Sequence, residues 1–389
     1  ALYAIFGGLK AVAVSDTLNG IGLLIIGILI PILGLSFLGD GSILEGLMII
    51  TSEETHKLNA IGSSNDPTPF STIFTGMIFA NLFYWCTNQY VIQRTLGAKN
   101  LAEGQKGVLL SGFFKVLIPF MMMIPGVIAY HLYGPNLSSI DQAFPRLIRD
   151  ILPDYLTGFF LAVLLGAVFS SFNSLLNSAA TLFCLDVYLP LKKGHANDKT
   201  LIRIAKISSV VIALFSFFVA PLLQYAPDGL WQIIRIFTGF YNIPVIVLVI
   251  VGLSTKKVPP IGAKVVIIVH IFFYGLFQFV FKDYLQIHFL HLYAILFIIE
   301  VIIMLVIGYL IPSPKAWIYP KRETINLRPW KYILPVSISL FSAIIFIYIL
   351  FSPIGIVGGF SPLFWPLSLA ICFVNIFVWS IKFYQLIHH

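Results

Sequence analysis

Long apolar stretches recur along the whole chain and leave little room for a water-soluble fold. Of the 389 residues, 59% are hydrophobic and only 10% are charged, whereas a soluble domain carries about 25% charged residues. Because this small number of charges cannot cover a water-facing surface, the solvent of this chain is lipid. The sequence therefore predicts an all-α polytopic membrane protein, because long helices satisfy their own backbone groups inside a bilayer.

The apolar stretches reach the length of about 20 residues that a transmembrane helix needs. Nine spans are predicted at roughly 12–37, 71–93, 107–131, 155–183, 203–224, 230–253, 262–281, 288–311 and 331–352, with a further apolar stretch at 362–386. Lys and Arg concentrate in alternate loops, and the opposite loops contain only Lys57, Arg146, Arg149 and Lys282. The positive-inside rule places the basic loops in the cytoplasm of a multi-pass protein of the cell membrane (inner or plasma membrane). This topology explains the net charge of +8 without a nucleic-acid partner.

The second predicted span combines an apolar background with many hydrogen-bonding side chains. Residues 81–94 include two Asn, two Gln, a Thr and a terminal Arg, and lipid cannot satisfy them. On a continuous helix Asn81, Tyr84 and Asn88 fall at i, i+3 and i+7, along one stripe. Amides and an aromatic ring suit the hydroxyls and the apolar face of a polyol. Hydrogen bonding between helices is the alternative interpretation.

A second polar group lies in the fourth span, where Ala167, Ser170 and Ser171 occur within about one turn. Two hydroxyls and a carbonyl oxygen suit a small, hard cation such as Na+. Such a site needs further carbonyls from a second, broken helix. Helix packing through small residues is the alternative.

Four other spans carry ionisable groups. Lys115 is either paired at depth or extended to the membrane edge. Gln232 and Arg235 share a face at i, i+3, and Arg235 requires a carboxylate, carbonyls, water or an anionic solute. Asp16 is either a helix-terminus carboxylate or part of a cation relay. Glu300 is interpreted as a member of a structural pair.

Four stretches of the sequence resemble the sodium:solute symporter family, especially its sodium–sugar branch. They are residues 3–17, 80–99, 103–107 and 170–188, of which 80–99 is the most specific. The resemblance is close over residues 1–190, loose over 191–260, and rests beyond that only on the presence of further spans.

The resemblance implies part of a LeuT-type fold, which has two inverted repeats of five helices. The first span would be the last helix of repeat one, and the next five spans would form repeat two. Residues 1–254 are then expected to form a partial transporter core, and residues 255–389 to form additional transmembrane helices. The N-terminal helices of the family would be absent partners from a longer parent protein, so these 389 residues are not expected to transport alone.

The resemblance also implies a function, which is Na+-coupled symport of a sugar or similar polyol by alternating access, without enzymatic activity. It assigns solute contacts to Asn81, Tyr84, Lys115, Gln232 and Arg235, and the helical stripe described above adds Asn88. It assigns half of a Na+ site to Ala167, Ser170 and Ser171. It also places Asp16 on the route of the cation. Because the family has glutamines where Arg235 stands, the Arg favours an anionic sugar.

Two alternative functions remain open at the level of the sequence. The first is a truncated, non-transporting remnant or sensor of the same family. The second is a membrane-embedded transferase, for which His288 and His291 are the candidate catalytic groups. An interfacial pair at the edge of a span is the more typical role for histidines in this position.

Overall fold

The computed structural model describes residues 2–137, 139–225, 230–281, 284, 287–318 and 325–387, without the side chains of residues 2–12, 135, 224, 225 and 232. Lys282 therefore lies outside the described residues. Within them, all regular structure is helical. The α-helices are α1 (Leu2–Leu38), α2 (Ile43–Ser52), α3 (Gly76–Leu82), α4 (Gln89–Leu96), α5 (Leu101–Val116), α6 (Ile124–Tyr133), α7 (Ala143–Ile151), α8 (Asp154–Leu182), α9 (Leu189–Leu191), α10 (Asp198–Val219), α11 (Leu230–Ser254), α12 (Pro260–Phe279), α13 (Phe289–Leu310), α14 (Ile333–Leu350) and α15 (Phe364–Ile387).

The described part of the chain contains nine helical segments that are long and apolar enough to cross a membrane, which confirms the multi-pass architecture. They are Ala13–Leu38, Leu101–Tyr133, Asp154–Leu191, Asp198–Leu223, Ile233–Ser254, Pro260–Phe279, Phe289–Leu310, Ile333–Leu350 and Phe364–Ile387. Eight of them overlap predicted spans, and Phe364–Ile387 overlaps the further apolar stretch at 362–386. The exception among the predictions is the span at 71–93, which is not a continuous helix.

Residues 70–96 form a broken segment. A 3-10 turn (Phe70–Phe74) leads into α3, which continues as a π-helical turn (Phe83–Thr87). Asn88 is then extended, with φ −71° and ψ 116°, and its carbonyl accepts the N–H groups of Val91 and Ile92 at 3.1 and 3.0 Å. The helix thus stops and restarts at Asn88. Hydropathy did not reveal the break, because Thr87, Asn88 and Gln89 lie between apolar residues and a hydropathy window averages over them.

Contacts divide the chain into two compact units. Unit 1 is Ala1–Ile61, Arg94–Tyr225 and Asn326–His389, and unit 2 is Gly62–Gln93 and Ala226–Ile325. Each has its own core. Buried side chains such as Ile30, Ile128 and Leu147 fill that of unit 1, and α11, α12 and α13 meet around Ile243, Val247 and Tyr274 in unit 2. The predicted division after residue 254 separates a transporter core from additional helices and is not defined by contacts. It therefore differs in kind from these two units and stays a prediction.

Helices α1 and α8 of unit 1 approach each other closely at small residues. A Cβ added to Gly22 would lie 2.7 Å from a methyl group of Val163, and one added to Gly166 would lie 2.4 Å from the amide oxygen of Asn19. The amide of Asn19 also donates to the carbonyl of Gly166 at 3.1 Å. Small residues allow such approach in membrane proteins. Since Asp16 precedes Asn19 by three residues and Ser170 follows Gly166 by four, both polar groups lie on the facing surfaces.

Candidate functional site

A charged network joins three helical segments of unit 1. The guanidinium of Arg94 donates to the carboxylate of Asp16 and to the hydroxyl of Ser174. The hydroxyl of Ser170 donates to the other carboxylate oxygen of Asp16, and Ser174 donates to the carbonyl of Ser170 at 2.8 Å. We call these four residues the Asp16 network. Its carboxylate is thus satisfied by one cation and one hydroxyl, as a charge at membrane depth requires.

The position of Asp16 corrects one of the two interpretations made from the sequence. Helix α1 begins at Leu2, well before the predicted start of the span, so Asp16 lies inside the helix and is not a helix-terminus carboxylate. The helix continues because residues 3–15 contain no proline. The alternative role of Asp16, in the route of a cation, stays a prediction.

Two members of the network, Arg94 and Ser174, were not assigned to a site by the sequence, and Arg94 is the charged one. It is separated from Asp16 by 78 residues, and it had been counted only as a basic residue at the end of the polar span. The side chains of Asp16 and Arg94 are 16% and 34% exposed. The pair is therefore only partly buried, unlike a pair sealed in a core.

The proposed Na+ ligands lie on the same helix as the two serines of the network. Ala167 and Ser170 are half-buried and Ser171 is exposed. Because Ser170 uses its proton to bond Asp16, the lone pairs of its oxygen are available to a cation. The residues thus have the chemistry that a Na+ ligand needs, and the assignment stays a prediction.

Asn173 was not assigned a role by the sequence, although it lies in the same polar stretch of α8. Its side chain is fully buried, and within the described residues neither its amide oxygen nor its amide nitrogen has a hydrogen-bond partner. Buried amides are almost always bonded. Asn173 is therefore a buried polar side chain of α8 whose amide is unsatisfied in the described structure.

The predicted stripe of Asn81, Tyr84 and Asn88 is wrong as a single helical face. The π-helical turn shifts the register between Asn81 and Asn88, and Asn88 itself has left the helix. The amide of Asn81 donates to the carbonyl of Met77 at 2.9 Å, and the hydroxyl of Tyr84 bonds that of Tyr90 across the break. Tyr84 is 38% exposed, so its ring remains accessible to a ligand.

Polar and aromatic groups of unit 2 contact Arg235. Its guanidinium donates to the hydroxyl of Thr68 at 2.7 Å and to the sulfur of Met77 at 3.6 Å, and it lies 5.4 Å from the ring centroid of Phe289. A hydroxyl and an aromatic face help to hold a guanidinium in place. The side chain of Gln232 lies outside the described residues. Lys115 is exposed on α5 of unit 1.

The two histidines proposed for a transferase make structural contacts at the start of α13. The ring of His291 bonds the hydroxyls of Thr75 and Ser71 at 2.9 and 3.3 Å. His288 accepts the N–H of Leu290 at 3.3 Å as the cap of the helix, and burial lowers its pKa. Within the described residues, no three His, Cys, Asp or Glu side chains are arranged to hold a metal ion.

Glu300, interpreted as one half of a structural pair, meets His270 inside unit 2. Glu300 Oε1 and His270 Nδ1 are 2.6 Å apart, and both side chains are fully buried. His270 lies 30 residues away on the preceding helix. The sequence shows both residues but does not show that they are in contact.

Known proteins resemble this chain in sequence over most of its length. The model of the sodium:solute symporter family matches residues 1–269. An uncharacterized symporter, YidK, of Escherichia coli strain K12 is 41% identical over 347 residues, which is 89% of this chain and 60% of that protein. A sodium/glucose cotransporter of Vibrio parahaemolyticus is 30% identical over 69% of this chain and 53% of its own length. Sodium/myo-inositol cotransporter 2 of Bos taurus is 33% identical over 68% of this chain and 43% of its own length.

A solved structure shows the same fold. A Na+-coupled sialic acid symporter, in a substrate-bound outward-open state, superimposes with a TM-score of 0.65 over 81% of this chain and 66% of that one, at 23% identity. This agreement confirms the predicted LeuT-type class. The chain spans 60% or less of the length of the sequence relatives named above. Because the family model covers more than half of its residues, the chain belongs to the sodium:solute symporter family.

Proposed function

We propose that the protein is a Na+-coupled symporter of a sugar or related polyol, and that Arg235 directs it toward an anionic sugar. The observation that carries the proposal is the broken segment at residues 83–88, which places amide and aromatic side chains beside unwound backbone. Discontinuous helices of this kind supply ion and solute ligands in secondary transporters. The names of the relatives, which include sodium/glucose and sodium/myo-inositol cotransporters, support the same class of solute.

The Asp16 network supports a role for a cation in unit 1. It places a carboxylate and two hydroxyls within one cluster, and hard oxygen ligands of this type suit Na+. One charge moving inward across about 100 mV releases about 2.3 kcal/mol, which is enough to concentrate a neutral solute roughly fiftyfold. Coupling to one Na+ therefore suffices for accumulation.

Arg235 supports the anionic branch of the proposal. A guanidinium presents several fixed donors and binds carboxylates with two parallel hydrogen bonds. It lies beside the hydroxyl of Thr68, the sulfur of Met77 and the ring of Phe289, and an anionic sugar would add bonds of this charged type.

Uptake into proteoliposomes tests the proposal. The natural full-length protein is assayed with labelled D-galactose, myo-inositol, D-galacturonate and N-acetylneuraminate, each with and without an inward Na+ gradient. We expect Na+-dependent accumulation of at least one, with an anionic sugar preferred. Uptake that ignores Na+ removes the cation assignment, and binding without uptake favours the sensor.

Single substitutions then test the individual residues. Asn81→Ala and Tyr84→Phe should each raise the KM for the solute, whereas Ser171→Ala should chiefly raise the KM for Na+. Tyr155→Phe, at an exposed position of α8, and Ser216→Ala, whose hydroxyl bonds only its own helix, are the matched controls. If the three site variants behave like the two controls, the assignments are wrong.

A further inference from the structure

Three buried side chains of α12 and α13 donate hydrogen bonds to the backbone of α11. His270 Nε2 lies 2.9 Å from the carbonyl oxygen of Gly239. The hydroxyl of Tyr274 donates to the carbonyl of Ile236 at 2.9 Å. The hydroxyl of Tyr293 donates to the carbonyl of Arg235 at 2.8 Å. We call His270, Tyr274 and Tyr293 the carbonyl clamp.

The clamp is unusual because helical carbonyls already have partners. In α11 the carbonyls of residues 235, 236 and 239 face the N–H groups of residues 239, 240 and 243. A helix needs no second donor at these oxygens, yet three side chains supply one within little more than a turn. All three are at most 1% exposed, so water does not compete for the same carbonyls. The donors therefore restrain the local shape and position of α11.

Gly239 makes this close approach possible. A Cβ at residue 239 would lie 2.3 Å from the hydroxyl oxygen of Tyr293 and 2.6 Å from that of Tyr274. Both hydroxyls thus occupy the space that any larger residue would fill. The absence of a side chain at Gly239 is what lets two helices bond the backbone of a third.

Glu300 fixes the state of the imidazole in the clamp. A carbonyl oxygen only accepts, so His270 Nε2 must carry a proton. His270 Nδ1 and Glu300 Oε1, 2.6 Å apart, then share one further proton, and the pair is neutral overall. The other oxygen, Glu300 Oε2, is buried without a partner in the described structure, and an unpaired oxygen costs less in a neutral acid than in a carboxylate. We therefore place the shared proton on Glu300, from which it is donated to His270.

Arg235 is thus held at both ends. Its carbonyl is bound by Tyr293, and its guanidinium is bound by Thr68 and Met77. A shift or rotation of α11 at this turn would move the guanidinium directly. The hydrogen bonds of the clamp to α11 all end on backbone carbonyls, so the clamp acts on Arg235 through its position rather than through its charge.

We propose that α12 and α13 set the solute specificity of the protein by positioning Arg235 through the carbonyl clamp, which makes His270, Tyr274 and Tyr293 positioning residues for an anionic sugar. The inference rests on the proposed function. It extends that function to two helices outside the polar segments that the sequence singled out.

Kinetics of uptake test the inference in the natural full-length protein with labelled D-galacturonate and D-galactose. Tyr274→Phe and Tyr293→Phe remove one hydroxyl each. His270→Asn removes the donor to Gly239, while His270→Gln keeps a donor near the position of Nε2. Tyr309→Phe is the matched control, because Tyr309 lies on α13 and is 86% exposed.

We expect the first three variants to raise the KM for galacturonate about threefold to tenfold, which corresponds to one net hydrogen bond. The KM for galactose, the KM for Na+ and the maximal rate should stay close to those of Tyr309→Phe, and His270→Gln should restore the wild-type KM. A purely structural clamp would instead lower the amount of active protein and leave every KM unchanged. That result, or an equal rise in KM for both sugars, overturns the inference.

A second measurement separates failure of the inference from failure of the proposed function. If the wild-type protein takes up neither sugar, the proposed function and the specificity role both fail. Hydrogen–deuterium exchange of residues 239–243 then tests the clamp itself. Exchange should be about threefold to tenfold faster in Tyr274→Phe and Tyr293→Phe than in Tyr309→Phe, and equal exchange shows that the clamp does not restrain α11.

Discussion

The Asp16 network and the His270–Glu300 pair each place one acid inside a membrane-spanning helix, but they offset the free-energy cost of burying that acid in different ways. Asp16 meets a permanent cation and the hydroxyl of Ser170, in surroundings that leave 16% of its own side chain and 34% of that of Arg94 exposed. Glu300 meets an imidazole in full burial. In the first arrangement both groups remain charged. In the second the shared proton is placed on Glu300, so both groups are neutral.

This difference indicates different uses. A half-exposed ion pair can exchange a partner for water or for an ion at modest cost. A sealed neutral pair gains nothing by exchange and is better suited to fixing the position of a helix. The residues nearest each acid agree with this division, because Asp16 adjoins the proposed Na+ ligands and His270 bonds the backbone of α11.

The largest expected effect comes from removing the charge of Asp16. Asp16→Asn removes the carboxylate that binds the Arg94 guanidinium. We expect the free energy of unfolding to fall by roughly 2–3 kcal/mol, which is below the full cost for a sealed pair because this one is partly exposed. Thermal unfolding in detergent measures it. The control is Glu103→Gln in the exposed Lys106–Glu103 pair, which should cost less than about 1 kcal/mol. Equal losses in both variants would mean that the network is an ordinary surface pair.

Gly239→Ala should come second. The new methyl group would lie 2.3 and 2.6 Å from two tyrosine hydroxyls, and overpacking of this kind costs about 1–3 kcal/mol. Gly252→Ala is the control on the same helix, since a Cβ there meets nothing within 4 Å. If the two alanines have the same melting temperature, α11, α12 and α13 are less tightly joined than the distances indicate.

Replacement of Glu300 tests whether the buried pair is neutral. Glu300→Leu leaves His270 Nδ1 without a donor and should cost about 1–2 kcal/mol. Glu300→Gln offers an N–H in place of the shared proton and should lower the free energy of unfolding by less than about 1 kcal/mol. The melting temperatures of the two variants show whether the pair is neutral. An ionic pair would make Gln as damaging as Leu, and the contrast with Asp16→Asn would disappear.

Asp150, on α7 outside the spans, should show the smallest effect. The hydroxyl of Tyr133, which donates at 2.7 Å, outweighs burial, and with Arg149 it lowers the pKa of the Asp150 carboxyl. A carboxyl with a lowered pKa stabilises the folded state above its unfolded value of about 3.9, and that contribution is lost as the pH falls through the folded value. Asp150→Asn should therefore cost less than about 1 kcal/mol at pH 7. The difference from the wild type should disappear as the pH falls through the folded pKa of Asp150, and a constant difference would contradict the assigned cause.

Hydropathy and local composition predicted a large part of this fold. Eight of the nine predicted spans, the apolar stretch at 362–386, the multi-pass class and the polar character of residues 81–94 follow from the sequence, because lipid demands long apolar helices and tolerates polar groups only where they have partners. The break at Asn88 does not follow, since a polar side chain fits either a continuous or an interrupted helix, and only the backbone angles of Asn88 show the interruption.

Contacts between helices account for most of what the sequence missed in the site. Asp16 with Arg94, and His270 with Glu300, are 78 and 30 residues apart, and their pairing depends on which helices are neighbours and on how each is rotated. Both acids were visible as ionisable groups inside spans, so the question of a partner was clear while its identity was not. The role of Gly239 was hidden for the same reason, because a glycine shows its function only when the side chains facing it are known.

The π-helical turns at Phe83–Thr87, Pro119–Met123 and Phe183–Tyr188 bear on how this protein is compared with its relatives. A π-helical turn holds one residue more than the α-helical turn it replaces, and one residue corresponds to a rotation of about 100°. An ungapped alignment with a relative that lacks such a turn would assign wrong faces to all later residues of that helix. Insertions and deletions of one residue should therefore cluster at these three places, and homology models that ignore them will turn lipid-facing groups inward.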